Sequence, residues 1–263
     1  MRILVTGSSG TIGQALAQAL AAEDATLIPW RRDEVPIDDY AAMDAFVRAS
    51  KPDALIHLAA ASQPMGKQLS AAESWAVNYE WTSELAWLSR QHELPFVFTS
   101  TVMVFEDSEP GPYTIGSAPI AAHGYGMEKR RAEQRVFEQN PHARVVRLGW
   151  QIGGLQGNTM GAWLEARRDE TISAALRWMP ACAFLEDTCA QLLACVRRPP
   201  GLYQLDANEG WSFYDIARAL RARHDADWEL QPSYEWAYDQ RMLDPRCPMT
   251  PLAERLPELL APA

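Results

Sequence analysis

The sequence predicts an α/β fold: a doubly wound, mainly parallel sheet with a small C-terminal lobe. Three observations carry that expectation. The chain opens on a short apolar run, Ile3 to Val5, that leads into Gly7, Gly10 and Gly13 and then into apolar residues at helical spacing (Ile12, Leu16, Ala19, Leu20). Further short apolar runs alternate with stretches of helical period, the pattern of βαβ units. The length of 263 residues suits one large α/β domain or such a domain with an appended lobe.

The opening element sets the chemistry. Strand, glycine turn and helix together point free backbone N–H groups at an anion. Gly7 permits the tight turn, Gly10 lets the backbone approach a pyrophosphate, and Gly13 lets helix and strand pack closely. The spacing is G-x-x-G-x-x-G rather than the commoner dinucleotide fingerprint. A turn without a ligand explains one of these glycines but not three. Ala25 to Trp30 reads as the second strand and ends at Arg31-Arg32. In a βαβ unit that point meets the adenosine ribose, where a carboxylate suits NAD and an arginine suits a 2′-phosphate. Arg31 and Arg32 therefore favour NADP(H), with NAD(H) left open.

The following elements are read in order. Asp39 to Ser50 is helical and is stopped by Lys51-Pro52-Asp53; Ala54 to Leu58 is a third strand that runs into Ala59-Ala60-Ala61. Small residues at the C-terminal end of a strand let a flat ligand lie against the backbone, on the edge where open parallel sheets bind ligands. Leu58, Ala59 and Ala60 are candidates on that ground. Ala71 to Gln91 reads as one long helix containing Asn78, and Leu94 to Phe98 as a fourth strand leading into Thr99-Ser100-Thr101. A helix through Tyr125 and Lys129 ends at Asn140-Pro141, and a fifth strand runs from Arg144 to Leu148, just before Trp150. Beyond it come a glycine-rich loop (Gly153 to Gly161), a helix to about Arg168, a helix from Glu186 to Val196, a strand from Leu202 to Leu205, and a helix to Arg223 with Ser212 as N-cap. Asp227 to Ala263 is rich in Trp, Tyr and Pro and has little periodicity. Its aromatics read either as a lobe packed on the sheet or as a wall that stacks on a nucleotide base.

Composition narrows the partners. A formal net charge of −10 argues against a nucleic-acid partner, which needs a basic face, and leaves room for a small anionic ligand. Cys182, Cys189, Cys195 and Cys247 form no C-x-x-C pair, so they read as reduced thiols rather than a zinc site or disulfide frame, and no metal is expected. No secretory segment and no membrane-spanning run is evident, so a cytoplasmic protein without a membrane partner is expected.

The residues with catalytic character are Thr101, Tyr125 and Lys129. Tyr and Lys four apart share a helical face. A phenol titrating near 10 is a poor acid–base group at neutral pH unless a cation stabilises its phenolate. A lysine one turn away supplies that cation, and a nearby hydroxyl can bind the same substrate oxygen. Lone Y-x-x-x-K spacing arises often by chance; together with the glycine turn and the hydroxyls at 99–101 it points to one site.

These motifs, T-G-x-x-G-x-x-G, then Ser100-Thr101, then Tyr125-Gly-x-x-Lys129, resemble the extended short-chain dehydrogenase/reductase superfamily, within it the dTDP-4-dehydrorhamnose reductase branch. Lys51-Pro-Asp-Ala-Leu-Ile-His-Leu-Ala-Ala60, Ala76-Val-Asn78, Arg147-Leu-Gly-Trp150 and Trp211-Ser-Phe-Tyr-Asp-Ile-Ala217 extend the likeness over most of the chain. The resemblance implies a Rossmann fold and an NADPH-dependent reduction of a keto group on a nucleotide-linked deoxysugar. It implies backbone donors near Ser9, Thr11 and Ile12 for the pyrophosphate, and an acidic residue near the adenine, for which Pro36-Ile-Asp38-Asp39 offers either aspartate or neither, Asp38 being the one taken as candidate. By the same carry-over, Tyr125 is the proton donor, Lys129 lowers its pKa and binds the nicotinamide ribose, Thr101 binds the carbonyl oxygen, and Asn78 supports the site through its helix. Trp150 falls beside the sugar.

Departures concern the substrate. Val102-Met103 stands where the family often has Asp-Tyr, so Met103 changes the substrate wall. Asp244-Pro-Arg-Cys-Pro-Met-Thr-Pro251 only approximates the family's Arg-Pro-x-x-Ser segment. The expected division is a cofactor domain over 1–150, with 186–223 packing back onto it, and a substrate lobe over 151–185 and 224–263. A sugar-nucleotide epimerase or dehydratase, a non-catalytic NADP-binding subunit and a homodimer stay open.

Overall fold

The computed structural model describes residues 1–23, 25–61 and 70–261; the last two positions of the expected lobe lie outside them. In chain order the elements are β1 (Arg2–Thr6), α1 (Thr11–Ala22), β2 (Thr26–Trp30), α2 (Tyr40–Ser50), β3 (Ala54–His57), α3 (Ala71–Trp75), a π-helical stretch (Ala76–Trp81), α4 (Thr82–Gln91) and β4 (Phe96–Thr101). A 3₁₀ turn (Val102–Val104), β5 (Tyr113–Thr114), α5 (Gly124–Gln139), β6 (Arg144–Leu148), β7 (Trp150–Ile152), α6 (Met160–Glu165), β8 (Thr171–Met179) and β9 (Cys182–Phe184) follow. The chain continues through α7 (Leu185–Cys195), β10 (Gly201–Leu205), α8 (Phe213–Arg223), β11 (Glu229–Asp239), β12 (Met242–Leu243), α9 (Leu252–Arg255) and a last 3₁₀ turn (Pro257–Leu260). The chain divides into two units. One comprises 1–105, 119–147 and 189–203; the other 106–118, 148–188 and 204–263, so α8 belongs to the second.

The first unit carries the six-stranded sheet, in the order β10-β6-β4-β3-β1-β2. β1 pairs in parallel with β2 on one side and β3 on the other, and β3 pairs in parallel with β4. The chain leaves β1 in one direction and returns on its other side, so the order reverses between β1 and β3. Ligands of open α/β sheets bind at that reversal, outside the carboxyl ends of the strands. Ile3, Leu4, Val5, Leu55 and Ile56 are fully buried, as expected of strands covered on both faces. Pro29 sits within β2, which is the edge strand and can spare a backbone donor. The expected α2 begins one residue late because Asp39 is its cap: the Asp39 carboxylate accepts from Ala42 N–H at 3.0 Å.

The long helix expected over 71–91 is present but widens in its middle to a π-helical turn that holds Asn78. Ser70 and Glu73 cap its start with a reciprocal pair of hydrogen bonds.

The second unit has its own core, in which Ile152, Met160, Leu164, Ile216, Leu220, Trp228 and Leu252 are buried. β8 pairs in parallel with β11, β7 with β9 and β5 with β12. β7, β8, β9 and β11 have no counterpart among the expected elements. β11 contains Pro232, is largely exposed along its length, and shifts register between Ser233 and Ala237, so it offers no two-residue alternation to read. Ser212 caps α8 as expected, in a reciprocal box with Asp215.

Candidate active site

The glycine turn is built as its spacing implies. Gly7 adopts φ of +68°, and a Cβ there would lie 2.7 Å from the Ala59 nitrogen, so the turn after β1 is pressed against the end of β3. Gly10 N–H closes the turn on the Gly7 carbonyl at 3.0 Å. A Cβ on Gly13 would come within 2.3 Å of that same carbonyl, so α1 seats on the turn only with glycine there. α1 starts with no side-chain cap and no acidic residue in its first turn, which leaves its positive end for an anion. These features fit a dinucleotide pyrophosphate. Ser9, Thr11 and Ile12 lie on this turn and first helical turn. Arg31 and Arg32 are exposed at the end of β2; Arg31 lies 3.6 Å from Glu34 in an open ion pair worth little to either partner. Asp38 is exposed, whereas Asp39 is committed to capping α2.

The end of β3 is tied down by a buried histidine that the motif reading passed over. Ala59 N–H donates to the Thr6 hydroxyl (3.1 Å), which lies 2.7 Å from His57 Nδ1; His57 Nε2 lies 2.9 Å from the Thr82 hydroxyl, which donates to the Asn78 carbonyl (3.0 Å). The hydroxyls of Thr6 and Thr82 thus hold the ring by both nitrogens. Burial, seconded by the charge of Lys129, pushes its pKa well below the usual value. Phe96 and Phe98 stack on the ring and Trp81 meets it edge-on. A lone polar residue within the apolar run of β3 was the available signal.

Asn78 is fully buried and its carboxamide is spent. Its oxygen accepts Ala61 N–H at 2.8 Å; its nitrogen donates to the Ala61 carbonyl (3.1 Å), to Ser74 (3.2 Å) and to Glu128 (2.7 Å). Asn78 thus holds the segment just past β3 in place.

The three hydroxyls of β4 differ. Thr99 donates to the His57 carbonyl at 3.0 Å and is structural. The Thr101 oxygen accepts Met103 N–H at 3.2 Å, which leaves its own proton to donate. The buried Ser100 hydroxyl has no partner among the described residues. Gly126 seats α5 on this strand end: a Cβ there would lie 2.1 Å from the Met103 carbonyl. Tyr125 is the residue before Gly126, in the first turn of α5. Met103 itself is 52% exposed.

Three charged residues lie on the buried face of α5: Glu128, Lys129 and Glu133. Lys129 Nζ sits 4.1 Å from the centre of the Phe98 ring and 6.0 Å from that of Tyr125. Burial pulls its pKa down to about 7, against the opposing pull of Glu133 and Glu128. Burial and then Glu128 push the Tyr125 phenol above its usual value. Glu133 is claimed by Arg147 through two hydrogen bonds of 2.9 and 2.7 Å.

Trp150 belongs to the second unit, where it stacks on Phe213 and Trp178 and meets Trp163 edge-on. Trp178 in turn packs on Trp236, which is 40% exposed. The tail aromatics divide accordingly: Trp228 is core, whereas Trp236 and Tyr234 face solvent. All four cysteines are buried and none is in a disulfide.

A family model described as the RmlD substrate binding domain matches residues 1–247. A dTDP-4-dehydrorhamnose reductase from Burkholderia thailandensis is 27% identical over 243 residues, covering 88% of this chain and 80% of that protein. A dTDP-4-keto-6-deoxy-D-glucose reductase from Streptomyces niveus is 26% identical over 221 residues, covering 82% and 76%. The crystal structure of dTDP-4-dehydrorhamnose reductase from Bacillus anthracis in complex with NADP superposes with a TM-score of 0.84 at 19% identity, covering 98% of this chain and 97% of that one, which shows the shared fold. With a family model spanning nearly its whole length, the chain belongs to the RmlD substrate-binding-domain family.

Proposed function

We infer that this protein is an NAD(P)-dependent oxidoreductase that reduces the keto group of a nucleotide-linked 6-deoxysugar, with NADPH preferred. The relatives' names give the reaction class and the sugar nucleotide. The observation that supports the mechanism is the close approach of Gly126, the residue after Tyr125, to the Met103 carbonyl just past Thr101.

The first unit holds the cofactor. The N–H groups at Ser9, Thr11 and Ile12 take the pyrophosphate, Arg31 and Arg32 the 2′-phosphate, and Leu58 to Ala60 line the strand end, with Asp38 near the adenine. Lys129 binds the nicotinamide ribose. Bound NADPH supplies the hydride. Tyr125 donates a proton to the carbonyl oxygen; burial and Glu128 raise its pKa, which works against that transfer, so a cation that stabilises the phenolate is required. Thr101 donates to the same oxygen with the proton that its backbone contact leaves available. The ammonium of Lys129 offsets the charge left on the phenolate. Within the first unit Met103 is the proposed substrate contact; within the second, taken by itself, it is Trp150.

The test is NADPH consumption with a panel of dTDP-linked 4-keto-6-deoxysugars. Tyr125→Phe is expected to lower kcat by about two to four orders of magnitude, the usual worth of a positioned acid. Turnover near that of the parent enzyme in this variant would remove Tyr125 from the mechanism. Binding of NADPH with no consumption on any sugar would replace the reductase by a binding subunit.

A further inference from the structure

Between Tyr125 and Lys129 the helix buries a glutamate that none of the motifs accounts for. Glu128 is 7% exposed. One of its oxygens accepts two hydrogen bonds, from Asn78 Nδ2 at 2.7 Å and from the Ser74 hydroxyl at 2.6 Å. Asn78 in turn grips both the N–H and the carbonyl of Ala61. The glutamate on the catalytic helix is thereby bonded, through one carboxamide, to the chain that leaves β3, immediately after Leu58, Ala59 and Ala60. The π-helical widening places Asn78 in this contact with the chain fifty residues further on.

We propose that Glu128 is a positioning residue of this site: its carboxylate locks Asn78 onto Ala61 and places a negative charge next to Lys129. The proposal rests on the reading of Tyr125 and Lys129 as acid and cation. Burying a carboxylate is costly unless it is hydrogen-bonded, and a structural link between these elements needs no charge. A neutral glutamine has the same shape and can accept the same two hydrogen bonds. The charge matters at Lys129, which faces Tyr125, Glu128 and Glu133 from its own helix, His57 from β3 and the Phe98 ring from β4. His57 is neutral and Glu133 is engaged by Arg147, so among the described residues Glu128 is the anion near Lys129 with no ion pair of its own. Glu128 favours the charged lysine, and the same charge favours the protonated phenol of Tyr125. A protonated tyrosine beside an ammonium is the state from which carbonyl reduction begins.

The experiment needs no sugar substrate. The chain contains three lysines, Lys51, Lys67 and Lys129, so the side-chain carbon resonances of lysine-labelled protein resolve the titration of Lys129. The wild-type midpoint is expected at about 7, and Glu128→Gln is expected to lower it by about one unit, the effect of removing a close opposite charge. In parallel, the Kd for NADPH is expected to rise about tenfold in Glu128→Ala, which strands Asn78 and frees the strand end, and less in Glu128→Gln. An unchanged Lys129 midpoint in Glu128→Gln would overturn the proposal. So would a Glu128→Ala protein that is less stable yet binds NADPH as tightly as wild type, since that is the signature of a strut alone. Failure of wild-type protein to bind NADPH would defeat the reductase reading, and the lysine titration would still decide the role of Glu128.

Discussion

At the scale of single residues, Lys129 shows a conflict between stability and function. An ammonium 1% exposed to solvent, packed on the Phe98 ring, loses most of its hydration, and its pKa falls to about 7. The linkage has a definite sign. Between pH 7 and the ordinary lysine value, the unfolded chain binds a proton that the folded chain does not, so folding stability rises with pH across that window. Below pH 7 both states are protonated and the full penalty is present. Replacing Lys129 with Met removes it. The melting temperature of Lys129→Met is therefore expected to exceed wild type at pH 6, with the gap closing as pH rises toward 10, while NADPH-dependent turnover is lost. Calorimetry at the two pH values checks this; a variant less stable than wild type at pH 6 would mean that the lysine contributes more through its neighbours than burial takes away.

At the scale of elements, α5 brings a second buried charge that is matched. Glu133 and Arg147 tie α5 to β6 through paired hydrogen bonds, and the guanidinium also lies 4.8 Å from the Phe105 ring. Removing one partner strands a buried charge. Arg147→Met is expected to cost about 3–5 kcal/mol in chemical denaturation, and Arg147→Met with Glu133→Leu to recover most of it. If the double variant were as unstable as the single, the pair would be holding the elements by more than charge compensation. The helix of residues 71–91 makes a related point. Its sequence pattern predicts the rod but not the widened turn, because a π-helical turn differs from its flanks by one residue of register and is decided by what Asn78 reaches, here Ala61 and Glu128.

At the scale of the molecule, the proposed cofactor contacts all fall in the first unit and Trp150 in the second. Hydrogen exchange should report this separately for the two ligands. NADPH alone is expected to slow exchange at residues 7–14, 58–61 and 124–130, in line with the stabilisation that any ligand of the native state confers. A dTDP nucleotide alone is expected to protect segments of the second unit that carry Trp150 and its aromatic neighbours. Protection by NADPH confined to the second unit would contradict the assignment. What spacing alone fixes is local: β1, the glycine turn and α1, the cap Ser212, and the single helical face shared by Tyr125 and Lys129. Each of these depends on residues within about one turn of each other, where sterics and hydrogen bonding follow from spacing alone. The rest depends on contacts between distant parts of the chain. The Thr6–His57–Thr82 relay, the Asn78–Glu128 link, the close approach of Gly126 to Met103 and the pairing of β8 with β11 join parts of the chain from 23 to about 60 residues apart, and no local pattern encodes a partner that folding brings from a distance.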